Sequence, residues 1–341
     1  MTIWGESAGA ISVYDHLIIN GGDHTYKGKP MFRGAVLNSG SVIPAVPAAH
    51  PKPQAVFDQV VKQAGCQLAV SKLQCLRRLP ATGYLNAANS VPGIFSYSSV
   101  NLAYAPRPDP SDNFMPESPE IAGRAGKFAK VPLIIGDQED EGTLFSIQQQ
   151  NLTNTAQLVD YVQSYFPDAN HSTVENLVKL YPDDPAAGSP FGTEDQFNVY
   201  PQFKRLAAIL GDLTFTLSRR EFLQFASQSV PTWSYLNSFI QAPVLGTFHG
   251  GDLLYLFGIL RQTENAFPAQ VLQATLIAFA NDLEPNGLNG QMEGMVEWPK
   301  WGNGSAAQLL SVTNTSTLLI PDTFRKAQSD YLAENIESFR V

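Results

Sequence analysis

The residues with the clearest capacity for chemistry in this sequence are the five around Ser7, Gly5-Glu6-Ser7-Ala8-Gly9. A serine with a glycine two residues before and after it is typical of a sharp strand-to-helix turn that presents the hydroxyl for nucleophilic attack. The preceding run Thr2-Ile3-Trp4 has β character, and residues 8–18 carry apolar side chains at helical spacing. The sequence therefore predicts that Ser7 is a nucleophile and that steric crowding requires both glycines.

A serine nucleophile needs a base within hydrogen-bonding reach. Among the five histidines, His249 follows a predicted strand and stands between Phe248 and Gly250, in a loop from which an imidazole could reach a serine. An alternative interpretation treats His249-Gly250-Gly251 as a glycine-rich oxyanion loop, but such a loop precedes the nucleophile in this type of fold. The sequence therefore favours His249 as the base over the other histidines, which are His16, His24, His50 and His171.

The base in turn needs a carboxylate to orient it, and one acidic segment follows a strong strand pattern. Residues 131–136 are apolar, as expected of a parallel strand that is buried on both faces. The order serine, acid, histidine is the one expected when the acid follows such a strand. Pattern alone leaves four candidates open, namely Asp137, Glu139, Asp140 and Glu141.

The elements that must position these residues alternate between strand and helix patterns along the chain. Strands are predicted at residues 33–38, 131–136, 232–239 and 316–320. Helices are predicted at 155–166, 172–180, 268–281 and 326–338 and as one uninterrupted stretch at 203–228, and irregular loops at 25–30 and 80–116. Alternation of this kind predicts an α/β fold with a mostly parallel sheet and helices on both faces. Ser39 and Ser41 would lie at the carboxyl edge of the sheet, where ligands bind.

Composition excludes several other classes of function. The 341 residues carry 22 Lys+Arg against 31 Asp+Glu, a net charge of −9, which argues against binding to a nucleic-acid backbone. No run of 18 or more apolar residues occurs, so no transmembrane segment is predicted, and no signal peptide pattern follows Met1. The predicted chemistry requires no cofactor and no metal.

The cysteines and the glycosylation sequons favour an oxidising compartment. Cys66 follows a helix pattern that ends at Gly65, and Ser71 with Gln74 marks the start of a second helix that carries Cys75. A short loop thus returns one cysteine towards the other, and we expect a disulfide, the alternative being two free thiols. Four N-x-[ST] sequons are candidate glycosylation sites, at Asn151, Asn170, Asn303 and Asn314.

Several motifs together resemble one known family. The sequence is similar to the type-B carboxylesterase/lipase family, nearest to fungal lipases of the Candida rugosa and Geotrichum kind, with cholinesterases as distant relatives. The similarity extends over essentially the whole chain. It is carried by Gly5-Glu6-Ser7-Ala8-Gly9-Ala10, Leu37-Asn38-Ser39-Gly40-Ser41, residues 136–143, Phe248-His249, residues 279–287 and Trp298-Pro299.

This resemblance implies an α/β-hydrolase fold and assigns roles that the pattern left open. The Asp140-Glu141-Gly142 match selects glutamate as the acid, so the implied triad is Ser7, Glu141 and His249. The other implied roles are an oxyanion donor at the N–H of Ala8, a supporting contact from Ser39 to Glu141, a buried carboxylate at Glu6 beside the site, an acyl pocket lined by Leu144 and Phe145, and a family disulfide between Cys66 and Cys75.

The resemblance also implies an activity and a location. We expect a secreted serine hydrolase that cleaves long-chain acyl esters through an acyl-enzyme, with ester or lipid substrates presented at an oil–water interface. The alternative is a non-enzymatic, cholinesterase-like adhesion or binding module. Such modules commonly lack one triad member, whereas all three positions are filled here.

The position of the predicted elbow is unusual for this family. Only six residues precede Ser7, whereas in the family several strands, a glycine-rich oxyanion loop and a lid come before the nucleophile. We therefore expect residues 1–341 to be the C-terminal part of a single α/β-hydrolase domain. Loss of one oxyanion donor lowers kcat by about 10²–10³-fold, so we expect the chain alone to be severely impaired.

Overall fold

A six-stranded sheet forms the centre of the structure, a computed structural model that describes residues 1–259, 267–287, 295–302 and 307–341. Its strands lie in the order β1-β4-β5-β6-β7-β8, and every neighbouring pair is parallel except the antiparallel pair β7 and β8. Strands β2 and β3 form a separate hairpin. The strands are β1 (Thr2–Glu6), β2 (Thr25–Tyr26), β3 (Lys29–Pro30), β4 (Gly34–Asn38), β5 (Leu133–Gln138), β6 (Thr232–Ser238), β7 (Gln308–Thr313) and β8 (Thr317–Pro321). The predicted mostly parallel sheet is confirmed.

Helices cover both faces of the sheet, and none of those described is both long and apolar enough to cross a membrane. They are α1 (Ala8–Ile18), α2 (Pro51–Gln63), α3 (Lys72–Arg77), α4 (Ala81–Ala88), α5 (Pro119–Arg124), α6 (Thr155–Gln163), α7 (His171–Lys179), α8 (Phe203–Gly211), α9 (Leu217–Ala226), α10 (Gly251–Leu256), α11 (Phe267–Asp282) and α12 (Lys326–Glu334). A π-helical segment, Asp212–Thr216, joins α8 to α9, and short 3₁₀ turns occupy Ile19–Gly22, Pro185–Ala187 and Ile336–Phe339.

The side chains of the central strands alternate between two apolar layers. On β4, Ala35 and Leu37 pack with α1, α5 and α9, whereas Val36 packs with α10 and α11. On β5, Leu133 and Ile135 face the first layer and Ile134 faces the second. Successive side chains of a strand point to opposite faces, so a strand covered on both sides must be apolar throughout, as these are.

Two further apolar clusters extend the fold beyond the carboxyl edge of the sheet. Helices α2, α3 and α4 follow β4 and pack around Val60, Val61 and Leu76 beside the Cys66–Cys75 disulfide. The predicted disulfide is thus confirmed, as is the helix start at Ser71, whose Oγ accepts the N–H of Gln74 at 3.3 Å. The larger cluster follows β5 and is built mainly from α6, α7 and α8.

Several predicted elements differ from the structure. The region 80–116 was expected to be irregular but contains α4, and 25–30 was expected to be a loop but contains the β2–β3 hairpin. Helix α7 begins at His171, with Asn170 as its N-cap residue. Strand β7 was missed because long-range pairing with β6 and β8 defines it, rather than a distinctive apolar run.

A buried ionic cluster connects the carboxyl half of β5 to α9 and to the segment after β8. The guanidinium of Arg219 donates to Asp137 at 2.7 Å and to Asp322 at 2.8 Å, and Arg220 donates to Asp322 at 2.7 Å. The indole N–H of Trp301 adds a further bond to Asp322 at 2.9 Å. Attraction to both arginines outweighs burial and holds the pKa of Asp322 well below its usual value. Asp322 is thus shared by two guanidinium groups next to β5, the strand that precedes the acidic segment.

We expect Asp322→Ala to destabilise the fold by about 3–5 kcal/mol, because it leaves two guanidinium groups buried without their shared carboxylate. Asp330→Ala is the matched control, since Asp330 pairs with Lys326 on the exposed side of α12. That variant should lose only about 0.3–0.5 kcal/mol. Urea unfolding would measure both, and equal losses would contradict a special role for Asp322.

Candidate active site

Ser7 stands at the junction of β1 and α1 in a backbone conformation that side chains rarely adopt. Its φ is 57° and its ψ −124°. The backbone is held from both sides, because the N–H of Ser7 donates to the carbonyl of Asn38 at 2.9 Å and its carbonyl accepts the N–H of Ile11 at 3.0 Å. The strained turn therefore aims the hydroxyl away from the sheet at its carboxyl edge.

Close backbone approach explains one of the two flanking glycines and identifies another. A Cβ on Gly5 would lie 2.2 Å from the backbone of Gly9, and a Cβ on Gly40 would lie 2.6 Å from the carbonyl oxygen of Ser7. A Cβ on Gly9 would meet no heavy atom within 4 Å among the described residues. The expectation that both motif glycines are sterically required is thus wrong for Gly9. The second position where a side chain would collide with the backbone of the turn is Gly40.

The hydroxyl, the imidazole and one carboxylate form a continuous chain of hydrogen bonds. His249 Nε2 lies 2.7 Å from Ser7 Oγ, and His249 Nδ1 lies 2.5 Å from Glu141 Oε2. The other carboxylate oxygen of Glu141 accepts the backbone N–H of Gln138 at 2.7 Å. Residues from three distant parts of the chain meet because β1, β5 and β6 end at the same edge of the sheet.

Of the four acidic residues that the pattern left open, Glu141 is the one that reaches His249. Asp137 is bound to Arg219. Asp140 holds the loops together, because it accepts the N–H of Thr247 at 2.8 Å while its own N–H donates to the carbonyl of Thr247 at 3.0 Å. Asp140 thus ties the turn that carries the acid to the loop that carries the histidine.

Aromatic rings enclose the imidazole. The ring of His249 lies 5.0 Å from that of Phe145 and 4.5 Å from that of Phe215, measured between centroids. Phe215 belongs to the π-helical segment between α8 and α9, which interrupts the single helix that the sequence predicted there. His249 is only 8% exposed, so water has little access to the side of the ring that faces these aromatics.

Three carboxylates surround this one imidazole. Besides Glu141, Glu6 Oε1 lies 3.3 Å from His249 Nε2, and Asp252 lies buried nearby in the first turn of α10. Burial alone would lower the pKa of His249, but attraction to Glu141, Glu6 and Asp252 outweighs it and raises that pKa above its usual value. Burial raises the pKa of Glu6 to about 7, and burial together with Glu141 raises that of Asp252 to about 6. The arrangement stabilises an imidazolium.

The structure identifies a supporting residue to which the sequence assigned no role. Among the described residues, the Oγ of Ser39 is buried without a hydrogen-bond partner, and its supporting role beside Glu141 stays a prediction. Its neighbour Asn38 takes the connecting role. The side chain of Asn38 accepts the indole N–H of Trp4 at 3.0 Å and donates to Asp252 at 2.9 Å. A polar residue at the end of an otherwise apolar strand was the available signal for Asn38.

An apolar cavity of about 510 Å³ opens beside the nucleophile. Ala8 and Ile11 of α1 form one wall, and Ile43, Ile94 and Leu102 belong to the others. Ile43 and Leu102 also line a slit of about 50 Å³ that continues between α9 and α12.

The residues predicted for the acyl pocket and the oxyanion site lie around this cavity in different ways. Leu144 and Phe145 are not among the residues that line the cavity. Phe145 packs on the ring of His249, and Leu144, the residue before Phe145, is half-buried. The acyl-pocket role of both residues stays a prediction. Ala8 is the first residue of α1, where N–H groups have no acceptor within the helix.

The predicted glycosylation sites are placed as follows. Asn151, Asn170 and Asn314 are exposed, the last in the turn between β7 and β8, and Asn303 lies outside the described residues. Their modification stays a prediction. Within the described ranges, no group of three or more His, Cys, Asp or Glu side chains is arranged to hold a metal ion.

Comparison with known sequences finds one family model and several lipases that are similar to this chain. The pattern of the carboxylesterase family matches residues 1–334. The chain is 49% identical to Secreted lipase 1 of Botryotinia fuckeliana, an alignment that covers 100% of the chain and 59% of that protein. It is 45% identical to Secreted triacylglycerol lipase LIP1 of Gibberella zeae, covering 98% and 56%, and 40% identical to Lipase 4 of Diutina rugosa, covering 100% and 60%. The chain spans about three fifths of the length of these relatives.

Solved structures share the architecture. The crystal structure of Aspergillus niger EstA superposes with a TM-score of 0.79 at 23% identity, covering 100% of this chain and 65% of that one. A PNB esterase structure superposes with a TM-score of 0.73 at 21% identity, covering 97% and 63%. The α/β-hydrolase fold expected from the sequence is therefore confirmed.

Exchanging the two motif glycines separately should give opposite results. We expect Gly5→Ala to destabilise the fold by about 3 kcal/mol or more, because its Cβ would overlap the backbone of Gly9. It should also abolish the reaction of Ser7 with a fluorophosphonate. Gly9→Ala should leave that reaction intact and change the free energy of unfolding by no more than about 1 kcal/mol, since Gly9 lies inside α1. Similar behaviour of the two variants would contradict the steric account.

The pH dependence of Ser7 reactivity should report the carboxylate of Glu6. The imidazole must be neutral to accept a proton from Ser7, so reactivity rises with pH through the pKa of His249. Glu6→Gln removes a negative charge beside Nε2, lowers that pKa, and should move the acid limb of the fluorophosphonate rate profile to lower pH. Asp15→Asn is the control, because burial raises the pKa of Asp15 to about 7 too, yet Asp15 is not among the charges that act on His249. An unchanged Glu6→Gln profile would contradict this coupling.

Proposed function

The chain belongs to the carboxylesterase family, and on that premise we propose that it carries the catalytic residues of a serine esterase or lipase that works through an acyl-enzyme. The observation that carries the proposal is the hydrogen-bonded line from Ser7 Oγ through His249 to Glu141. The activity is proposed for the protein in which these residues occur, since the chain spans about three fifths of its relatives.

In the first half-reaction, Ser7 Oγ attacks the ester carbonyl carbon while His249 Nε2 takes the hydroxyl proton. Glu141 accepts the Nδ1–H and stabilises the imidazolium that forms. The tetrahedral intermediate then expels the alcohol oxygen, which receives the proton from His249, and the acyl group stays on Ser7. In the second half-reaction, His249 takes a proton from water as the water oxygen attacks the acyl carbon. The second tetrahedral intermediate then breaks its bond to Ser7 Oγ, which regains the proton from His249, and the carboxylic acid leaves.

The negative oxygen of each tetrahedral intermediate needs fixed N–H donors. We propose the N–H of Ala8 as one of them, because it directly follows the nucleophile at the start of α1 and benefits from the positive end of the helix dipole. The N–H of the residue after the nucleophile is the donor expected at such an elbow.

We propose long-chain acyl esters as substrates. The support is the apolar cavity that begins at Ala8, whose walls carry aliphatic and aromatic side chains and which is large enough for an extended hydrocarbon. Relatives carry the names lipase and triacylglycerol lipase, and two of them are named as secreted. We accordingly propose a secreted protein that acts on ester or lipid substrates.

A fluorophosphonate probe tests the nucleophile. In the full-length protein that contains this chain, we expect stoichiometric labelling at Ser7, loss of labelling in Ser7→Ala, and a fall of about 10⁴-fold or more in ester hydrolysis when Ser7 or His249 is replaced by alanine. Ser12→Ala is the control, because Ser12 lies one helical turn further along α1 and lines the same cavity. A protein that is not labelled, although correctly folded, would favour a non-enzymatic binding module.

A series of p-nitrophenyl esters tests the acyl chain. Each buried methylene contributes about 0.8 kcal/mol, so we expect kcat/KM to rise with chain length until the cavity is filled, and to rise further when the ester is presented at an oil–water interface. A preference for short, soluble esters would refute the long-chain proposal and leave the esterase proposal in place.

A further inference from the structure

The basic and acidic residues are unevenly distributed along this acidic chain. Between Asp58 and Asp109 the sequence contains no aspartate or glutamate, although the protein has 31 of them. The same interval contains five of the 22 lysines and arginines, namely Lys62, Lys72, Arg77, Arg78 and Arg107. All but Arg107 are exposed. One segment is therefore cationic on a molecule whose remaining surface is strongly anionic.

The same segment carries the two most exposed large apolar side chains of the described structure. In the loop closed by the Cys66–Cys75 disulfide, Leu68 and Val70 are exposed to 98% and 109% of their reference areas. Leu73, at the start of α3, is 49% exposed. These side chains contribute nothing to the core, and all three lie within six residues of one another, so they form a local apolar surface that is available for contact outside the chain.

We call this surface the hairpin face, after the segment that runs from α2 through the disulfide loop into α3; it is distinct from the β2–β3 hairpin. It is defined by Leu68, Val70, Lys72, Leu73, Arg77 and Arg78. It belongs to the insertion between β4 and β5, which leaves the sheet at its carboxyl edge, the edge that also carries Ser7 and His249.

The hairpin face adjoins the cavity beside Ser7. A groove of about 820 Å³ is lined by residues of α2, α3 and α4, among them Leu73, Arg77 and Tyr84. Ala103, Tyr104 and Ala105 line both this groove and the cavity that begins at Ala8. The groove next to the hairpin face and the cavity next to Ser7 are therefore neighbours that share part of their walls.

We propose that the hairpin face docks the protein on a lipid surface that carries fatty-acid carboxylates, with Leu68 and Val70 inserted among the acyl chains. Apolar side chains on an exposed loop, together with Arg77 and Arg78 of the same face, suit the boundary between acyl chains and anionic head groups. Lys72 is paired with Asp58 at 3.6 Å and contributes less to the positive charge of this face. The choice of fatty acid rests on the proposed function, because ester hydrolysis releases carboxylates at the surface where it occurs. The cationic segment would hold the otherwise anionic protein on a surface that becomes negative as the reaction proceeds.

Vesicle binding by the Ser7→Ala protein tests this without catalysis. We expect it to co-sediment more strongly with phosphatidylcholine vesicles that contain oleate than with phosphatidylcholine alone, and salt should weaken the difference. Arg77→Glu/Arg78→Glu should reduce binding to the oleate vesicles by about tenfold or more and should abolish the preference. Leu68→Ser/Val70→Ser should reduce binding to both kinds of vesicle by about tenfold.

Two matched variants serve as controls. Lys27→Glu/Lys29→Glu makes the same change of charge on the β2–β3 hairpin, which precedes β4 and so lies at the opposite edge of the sheet. Ile277→Ser removes a 60% exposed apolar side chain from α11. Both should bind like the Ser7→Ala parent.

Equal binding by the hairpin-face variants and the controls, or no preference of the parent for oleate, would overturn the proposal. Because Ser7→Ala does not react, these results are independent of fluorophosphonate labelling. A labelled enzyme without oleate preference would refute the docking surface alone, and oleate binding by an unlabelled protein would refute the esterase proposal alone.

Discussion

The backbone of Ser7 is the constraint on which the rest of the site depends. A serine with φ of 57° is unfavourable in isolation and persists because the sheet and α1 hold both of its peptide groups. Two glycines make this backbone conformation possible because they have no Cβ. Gly5 lets α1 begin directly over β1, and Gly40 lets the turn after β4 approach the carbonyl of Ser7. The position of the hydroxyl is therefore set by backbone packing at the edge of two neighbouring strands, rather than by a flexible loop.

The imidazole is held in place by groups that are not part of the hydrogen-bonded line itself. Asp140 ties the acid turn to the histidine loop, Phe145 and Phe215 enclose the ring, and Asn38 joins the strand end to Asp252. The imidazole of His249 can therefore carry a positive charge although aromatic rings enclose it. Carboxylates near the ring offset the free energy that burial would otherwise cost the imidazolium, and this balance is what a base that gains and loses a proton needs.

The strands and candidate site residues that a short-range sequence pattern specifies were predictable. The strands β4, β5 and β6 were predicted because buried parallel strands are apolar throughout, and Ser7 and His249 because of their glycine-rich surroundings and chain order. The resemblance to a family then selected Glu141. Prediction failed where long-range contacts decide: β7 depends on its neighbours, the π-helical segment at Asp212–Thr216 interrupts a pattern that is helical throughout, and α4 lies in a segment rich in proline and glycine.

The sequence by itself determined the class of fold and the disulfide, and it singled out Ser7 and His249, because each rests on residue types at fixed spacing. Only the tertiary structure decided that Asn38 bonds to both Trp4 and Asp252, that Gly40 rather than Gly9 lies too close to another backbone segment to carry a side chain, and that Glu6 approaches His249 Nε2 to 3.3 Å. These are distances between segments far apart in the chain. Spacing along a strand shows which residues share a face, but the approach of one backbone to another depends on how whole layers pack.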